Sequence, residues 1–185
     1  VFLELGGKSA YIVLDDADVA AAASLAAFTA CTHAGQGCAI TTRLLVPRHL
    51  HDEVVDAAAA TMAALRPGDP DDPGTVCGPL ISARQRDRVE GYLRLAIEEG
   101  GSFAAGGGRP AEHDRGFFVE PTLVTGLDNS ARVAREEIFG PVLTVIAHDG
   151  DDDAVRIAND SPYGLSGAVH SADAARAWAV AQAVR

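Results

Sequence analysis

Ala10-Tyr11-Ile12-Val13-Leu14-Asp15-Asp16 is a short run of β-branched, aromatic and aliphatic residues closed by two acids. Side chains that suit a pleated, buried surface, followed by carboxylates able to accept helix N–H groups, predict a strand feeding a helix, with Asp15 and Asp16 as candidate caps. Asp18 to Thr32 supplies the helix: it is alanine-rich, with Leu25, Phe28 and Cys31 recurring at helical spacing, and Gly35 stops it. The alternation continues outward. Arg43 to Val46 reads as a second strand ended by Pro47, and His49 to Leu65 as an amphipathic helix with Val54, Val55, Ala58, Met62 and Leu65 on one face. Arg66 to Gly78, interrupted by prolines 67, 70 and 73, is a loop, after which Ser82 to Glu99 is helical until Gly100 and Gly101. Phe103 to Gly108, Phe117 to Val124, Pro141 to Ala147 and Gly167 to His170 read as strands, and Asp151 to Asn159 and Ala172 to Val184 as helices. Strands alternating with helices of this length predict an α/β fold, a largely parallel sheet flanked by helices.

The chain has 185 residues, 48% of them hydrophobic and 22% charged, enough for one substantial core. A net charge of -11 repels a phosphate backbone and argues against nucleic acid as a partner. No apolar run reaches membrane-spanning length. Cysteines 31, 38 and 77 form no Cys-x-x-Cys pair and leave one over, which suits a reducing, cytoplasmic setting. Cys31, His33 and Cys38 have no second ligand pair at a usual zinc spacing, so no metal site is expected. The chain opens inside an apolar run, Val1-Phe2-Leu3, with no initiator methionine or signal peptide, and reads as a piece of something longer.

Past the first helix comes Ala34-Gly35-Gln36-Gly37-Cys38-Ala39-Ile40-Thr41-Thr42-Arg43. Glycines 35 and 37 permit tight turns beside the sulfur of Cys38, so a substrate atom could approach the main chain there, where an N–H can meet a developing oxyanion. Taken alone, such a cysteine more often is a small buried side chain beside a helix-stopping glycine. Glu4, set among Phe2, Leu3 and Leu5, reads either as a carboxylate in apolar surroundings suited to general-base work or as a solvent-facing strand end. Glu136 and Glu137 read most simply as a solvated acidic face. His33 near Cys38 leaves a cysteine–histidine hydrolase open. Neither a Gly-x-Gly-x-x-Gly fingerprint nor a phosphate loop is present, and Gly164-Leu165-Ser166-Gly167 is not a nucleophile elbow.

Three strings, in order, resemble the aldehyde dehydrogenase superfamily: Glu4-Leu5-Gly6-Gly7-Lys8-Ser9, Gly35-Gln36-Gly37-Cys38 with Thr41-Thr42-Arg43, and Glu136-Glu137-Ile138-Phe139-Gly140-Pro141. Glu120-Pro121-Thr122 and Tyr163-Gly164-Leu165 extend the resemblance along the whole chain. It implies the catalytic domain of an oxidoreductase that turns an aldehyde into a carboxylic acid with NAD or NADP. Cys38 would form a thiohemiacetal and then a thioester, and Glu4 would activate the hydrolytic water. Glu137 would bind the nicotinamide ribose, Phe139 would pack near the nicotinamide ring, and Leu5 would lie beside it through its backbone. The resemblance also implies that residues 1–185 lack an upstream NAD-binding region and a C-terminal oligomerisation segment, with a homo-oligomer at full length. A coenzyme A-acylating dehydrogenase, a cysteine hydrolase and a non-catalytic remnant of the family are the alternatives.

Overall fold

The computed structural model describes residues 1–185. Its six strands are β1 (Ser9–Val13), β2 (Thr41–Pro47), β3 (Ser102–Ala105), β4 (Thr122–Thr125), β5 (Val142–His148) and β6 (Gly167–His170). They form one sheet in the order β3-β4-β5-β2-β1-β6, parallel throughout except for the edge strand β3. The helices are α1 (Val19–Cys31), α2 (His51–Ala64), α3 (Ala83–Glu98), α4 (Arg132–Arg135), α5 (Asp151–Asn159) and α6 (Ala174–Ala183). None is long and apolar enough to cross a membrane.

Both faces of the sheet are covered, which is why its central strands are almost wholly apolar rather than alternating. Tyr11, Val13, Leu44, Val46 and Leu143 join the larger core with α1, α2 and α3, whereas Ala10, Ile12, Leu45 and Ile146 join the smaller one with α5 and Val180 of α6. Burying a side chain such as Val13 or Leu44 completely contributes roughly 1.5–3 kcal/mol. In α1, Ala22, Ala23, Ala26, Ala27 and Ala30 are all buried; side chains this small let the helix approach its neighbours closely.

Three local expectations are corrected. The cap of α1 is Asp18, whose carboxylate accepts from Ala21 N–H at 3.0 Å, while Asp15 pairs with Arg176 and Asp16 accepts from Ser171. The strand expected over Phe117–Val124 narrows to Thr122–Thr125, because its first half bonds to loops: Leu80 N–H donates to Phe117 O and Glu120 N–H to Gly108 O. The helix before Cys38 ends at Cys31, ahead of Gly35.

Candidate active site

Each of the five strings singled out above lies immediately before or at the start of a strand. Glu4–Lys8 leads into β1, Gly35–Ile40 into β2, Glu120–Pro121 into β4, Glu136–Pro141 into β5 and Tyr163–Ser166 into β6. Because these strands are parallel and neighbours in the sheet, all five segments arrive on the same, amino-terminal edge. Segments 130 positions apart, such as those of Gly7 and Glu137, therefore meet for a topological reason. These loops lie opposite the carboxyl edge, where ligands of open α/β sheets usually bind.

Four contacts knit the central loops. Gly7 N–H donates to Glu137 Oε1 at 2.9 Å. A Cβ on Gly6 would stand 2.7 Å from Glu137 Oε2, and one on Gly7 would stand 2.7 Å from the Cys38 carbonyl oxygen. Gly35 lies so close to the Gly140–Pro141 peptide that a Cβ would fall 2.1 Å from Gly140 C. Glycine is needed at these positions because backbone and carboxylate already occupy the space a side chain would take.

The chain reaches Cys38 through a left-handed turn, His33, Ala34 and Gly35, at φ of 51°, 55° and 69°. Left-handed backbone costs an ordinary L-residue roughly 1–2 kcal/mol, a cost that falls on His33 and Ala34, while Gly35 tolerates it and packs against the Gly140–Pro141 peptide. Phe139, at φ 63°, is strained in the same sense. The two strained turns face each other, and such strain concentrates at functional sites. Beyond the turn, Gln36 Oε1 accepts from Ile81 N–H at 2.9 Å, while Ile40 N–H closes a turn onto Gly37 O at 3.1 Å. Cys38 sits exposed within that turn, its own N–H donating to no protein acceptor. Cys31 and Cys77 are buried, which pushes the Cys77 thiol up to about 12 and Cys31 higher still.

Glu137 is half-buried against Gly6 and Gly7, and Phe139, two residues on, is half-buried as well. Glu4 and Leu5, by contrast, are exposed, as are Phe2 and Leu3. Of the two readings of Glu4, its exposure in these 185 residues fits the solvent-facing one: the hydrophobic neighbours are present, but nothing packs over them. His33 is also exposed and makes no hydrogen bond to Cys38.

Two cations behind the loops had no role assigned from the sequence. Arg43 is 2% exposed and bonds only to neutral oxygens. Its Nε donates to Lys8 O at 2.8 Å, one terminal nitrogen donates to Asn129 Oδ1 and Ile157 O, and the other to Ala158 O. It thereby fastens the start of β1 to the carboxyl end of α5. Lys8 is 1% exposed, and its Nζ has no hydrogen-bond partner. Burial, then the Arg43 charge, push its pKa down to about 7, with Glu137 opposing. A cation outside any charge pattern is a weak sequence signal; the Thr-Thr-Arg of the nucleophile string was the available cue for Arg43.

The cradle fits one end of a dinucleotide. Glu137 keeps Oε2 free of protein partners while Oε1 is fixed by Gly7 N–H, so one carboxylate oxygen remains to accept from a ligand hydroxyl.

Comparison with known proteins agrees with this arrangement. The model of the aldehyde dehydrogenase family matches residues 1–185. The chain is 49% identical to the geranial dehydrogenase of Castellaniella defragrans, covering 98% of this chain and 38% of that protein. It is 45% identical to a putative aldehyde dehydrogenase of Staphylococcus saprophyticus, covering 94% of this chain and 37% of the relative. Among solved structures, a Mycobacterium tuberculosis aldehyde dehydrogenase complexed with NAD+ superposes with a TM-score of 0.95 at 49% identity, over 98% of this chain and 38% of that one. A mutant of aldehyde dehydrogenase C from Pseudomonas syringae, complexed with NAD+ and octanal, superposes at 0.96 with 44% identity, over 98% and 38%. The chain thus spans less than half the length of these relatives. With the family model matching from end to end and the fold shared at this identity, the chain belongs to the aldehyde dehydrogenase family.

Proposed function

We propose that residues 1–185 are the catalytic portion of an NAD(P)-dependent aldehyde dehydrogenase, the dinucleotide-binding portion lying in sequence outside them. The observation that carries this reading is the meeting of three strings at one point: Gly7 N–H on the Glu137 carboxylate, with the Cys38 carbonyl against Gly7. Exposed Cys38 is the nucleophile. Its sulfur adds to the aldehyde carbon, and its own free N–H is placed to donate to the resulting oxyanion. NAD(P), when bound, would supply the hydride acceptor for this carbon, and loss of hydride would leave a thioester on Cys38. Glu4 then takes a proton from water as it attacks the thioester, releasing the acid and restoring the thiol. Glu137 and Phe139 hold the nicotinamide end, with the backbone of Leu5 beside it.

The experiment is a transplant of residues 1–185 into a longer relative in place of the matching segment. Aldehyde-dependent NADH formation should appear in the chimera and vanish with Cys38→Ser. A chimera whose oxidation survives that substitution would remove Cys38 from the reaction.

A further inference from the structure

The side of α3 that faces the active-site loops carries Gln85, Arg88, Val89 and Tyr92, separated by three, four and seven residues, the spacing that lines up side chains along one helix face. Successive carbonyls of the Glu137 turn receive donors from it. Arg88 donates to Glu137 O at 2.5 Å, and Gln85 Nε2 donates to Ile138 O at 3.0 Å and to Phe139 O at 2.7 Å. The Tyr92 hydroxyl donates to the Glu136 carboxylate at 2.7 Å, and a Cβ on Gly140 would lie 2.5 Å from Val89.

The two Gln85 bonds have a specific consequence. Ile138 O belongs to the peptide plane before Phe139 and Phe139 O to the plane after it. A single carboxamide that holds both planes fixes both backbone torsions of Phe139, the residue strained at φ 63°. Strain of this kind persists only where the surroundings over-determine it.

Helix capping does not account for Gln85. Ser82-Ala83-Arg84-Gln85 reads as a capping box, in which the fourth side chain returns to the first residue's N–H. Only half the box forms: Ser82 Oγ accepts from Gln85 N–H at 3.2 Å, whereas the Gln85 carboxamide points away to the turn.

We propose that Gln85 is a positioning residue of the active site, holding the left-handed turn at Phe139 and thereby keeping the Glu137 carboxylate on Gly7 N–H. Its consequence for cofactor binding rests on the role proposed above for Glu137; the positioning itself does not.

Two variants of the chain test it by amide hydrogen exchange. Gln85→Leu removes both donors. Gln85→Glu replaces them with an oxygen that repels two carbonyls, yet it places a negative charge in the first turn of α3, which favours the helix. The Gly7 amide should exchange roughly tenfold faster in Gln85→Leu, the scale of one lost hydrogen bond, and faster still in Gln85→Glu. In Gln85→Glu the amides of α3 and β2 should stay as protected as in the parent chain; faster Gly7 exchange beside an intact α3 is the combination that a merely helix-stabilising role would not produce. Unchanged Gly7 exchange in both variants would overturn the proposal. That readout needs no cofactor, so it fails or stands apart from the effect of Glu137→Gln on NAD binding, which tests the role of Glu137.

Discussion

Gly7 N–H donates to Glu137 Oε1 at 2.9 Å, joining the segment before β1 to the segment before β5. The same place has no room for a side chain, and the two glycines there differ in what a methyl group would strike. On Gly7 it would meet a backbone carbonyl, that of Cys38, at 2.7 Å; on Gly6 it would meet the far end of a flexible carboxylate at 2.7 Å. Gly7→Ala should therefore cost about 1–3 kcal/mol in urea unfolding, as overpacking usually does. Gly6→Ala should cost much less while releasing Glu137, seen as faster exchange of the Gly7 amide. Equal destabilisation by the two would contradict this account.

Thiol reactivity should separate cleanly. Cys38 is exposed, whereas Cys31 and Cys77 are buried with their thiols pushed to high pKa, so only Cys38 presents an accessible sulfur. Limiting iodoacetamide on the folded chain, followed by peptide mass spectrometry, should label Cys38 alone. The other two should react only in denaturant, and early labelling at Cys77 would be inconsistent with the fold.

How much of this was legible beforehand depended on whether the signal was local. The α5 and β6 boundaries coincide with the expected ones, because Asp151–Asn159 and Gly167–His170 are set off by a glycine and a serine–proline–glycine loop. Cys38, Glu137 and Phe139 were singled out through short strings, but the meeting of their segments was not legible, since it follows from the non-sequential strand order β5-β2-β1. Gln85 was invisible for a different reason: its sequence context is that of a cap, and only the fold shows its carboxamide on another loop. The exposure of Glu4 likewise went against a correct reading of its neighbours, because apolar residues make an apolar pocket only when something covers them.

Arg43 should be hard to replace. Its guanidinium serves Lys8 O, Asn129 Oδ1, Ile157 O and Ala158 O, four acceptors on three separate segments that a planar fork can reach together and a single ammonium cannot. Arg43→Met leaves these buried acceptors unpaired and should cost about 3 kcal/mol or more. Arg43→Lys should recover only part of the loss. Full recovery by lysine, measured by urea unfolding, would show that charge rather than geometry matters.

Stability should rise with pH on account of Lys8. Its pKa is about 7 in the folded chain against an ordinary 10.5, so between these values the unfolded chain binds more protons. The burden of burying this group is therefore full below pH 7, declines as pH climbs from there, and is gone above the ordinary lysine value. Each tenfold change in acidity between the folded and unfolded chain is worth about 1.4 kcal/mol, so the whole effect amounts to several kcal/mol. Lys8→Met keeps the stem and removes the amine; it should stabilise the chain most at pH 6, with the gain shrinking toward pH 10, in urea titrations across about pH 6–10. A gain that does not vary with pH would mean that Lys8 stays protonated in the fold.

Glu4 should govern the second half of the proposed reaction. Glu4→Gln keeps the size and much of the hydrogen bonding of the side chain but removes the base. Loss of hydride from the Cys38 adduct needs no such base, whereas hydrolysis of the thioester does. In the chimera, Glu4→Gln should give a burst near one equivalent of NADH per site, then a steady rate lowered about 10²-fold or more, with an acyl adduct on Cys38 by intact mass. If Glu4 also assists loss of the thiol proton, the burst slows but survives. Glu4 is exposed in residues 1–185, so this role requires the surrounding portion of the enzyme to cover Phe2, Leu3 and Leu5. The chimera should accordingly show slower amide exchange over residues 2–5 than the isolated chain. A steady rate equal to that of the parent chimera would return Glu4 to the solvent and leave hydrolysis to another group.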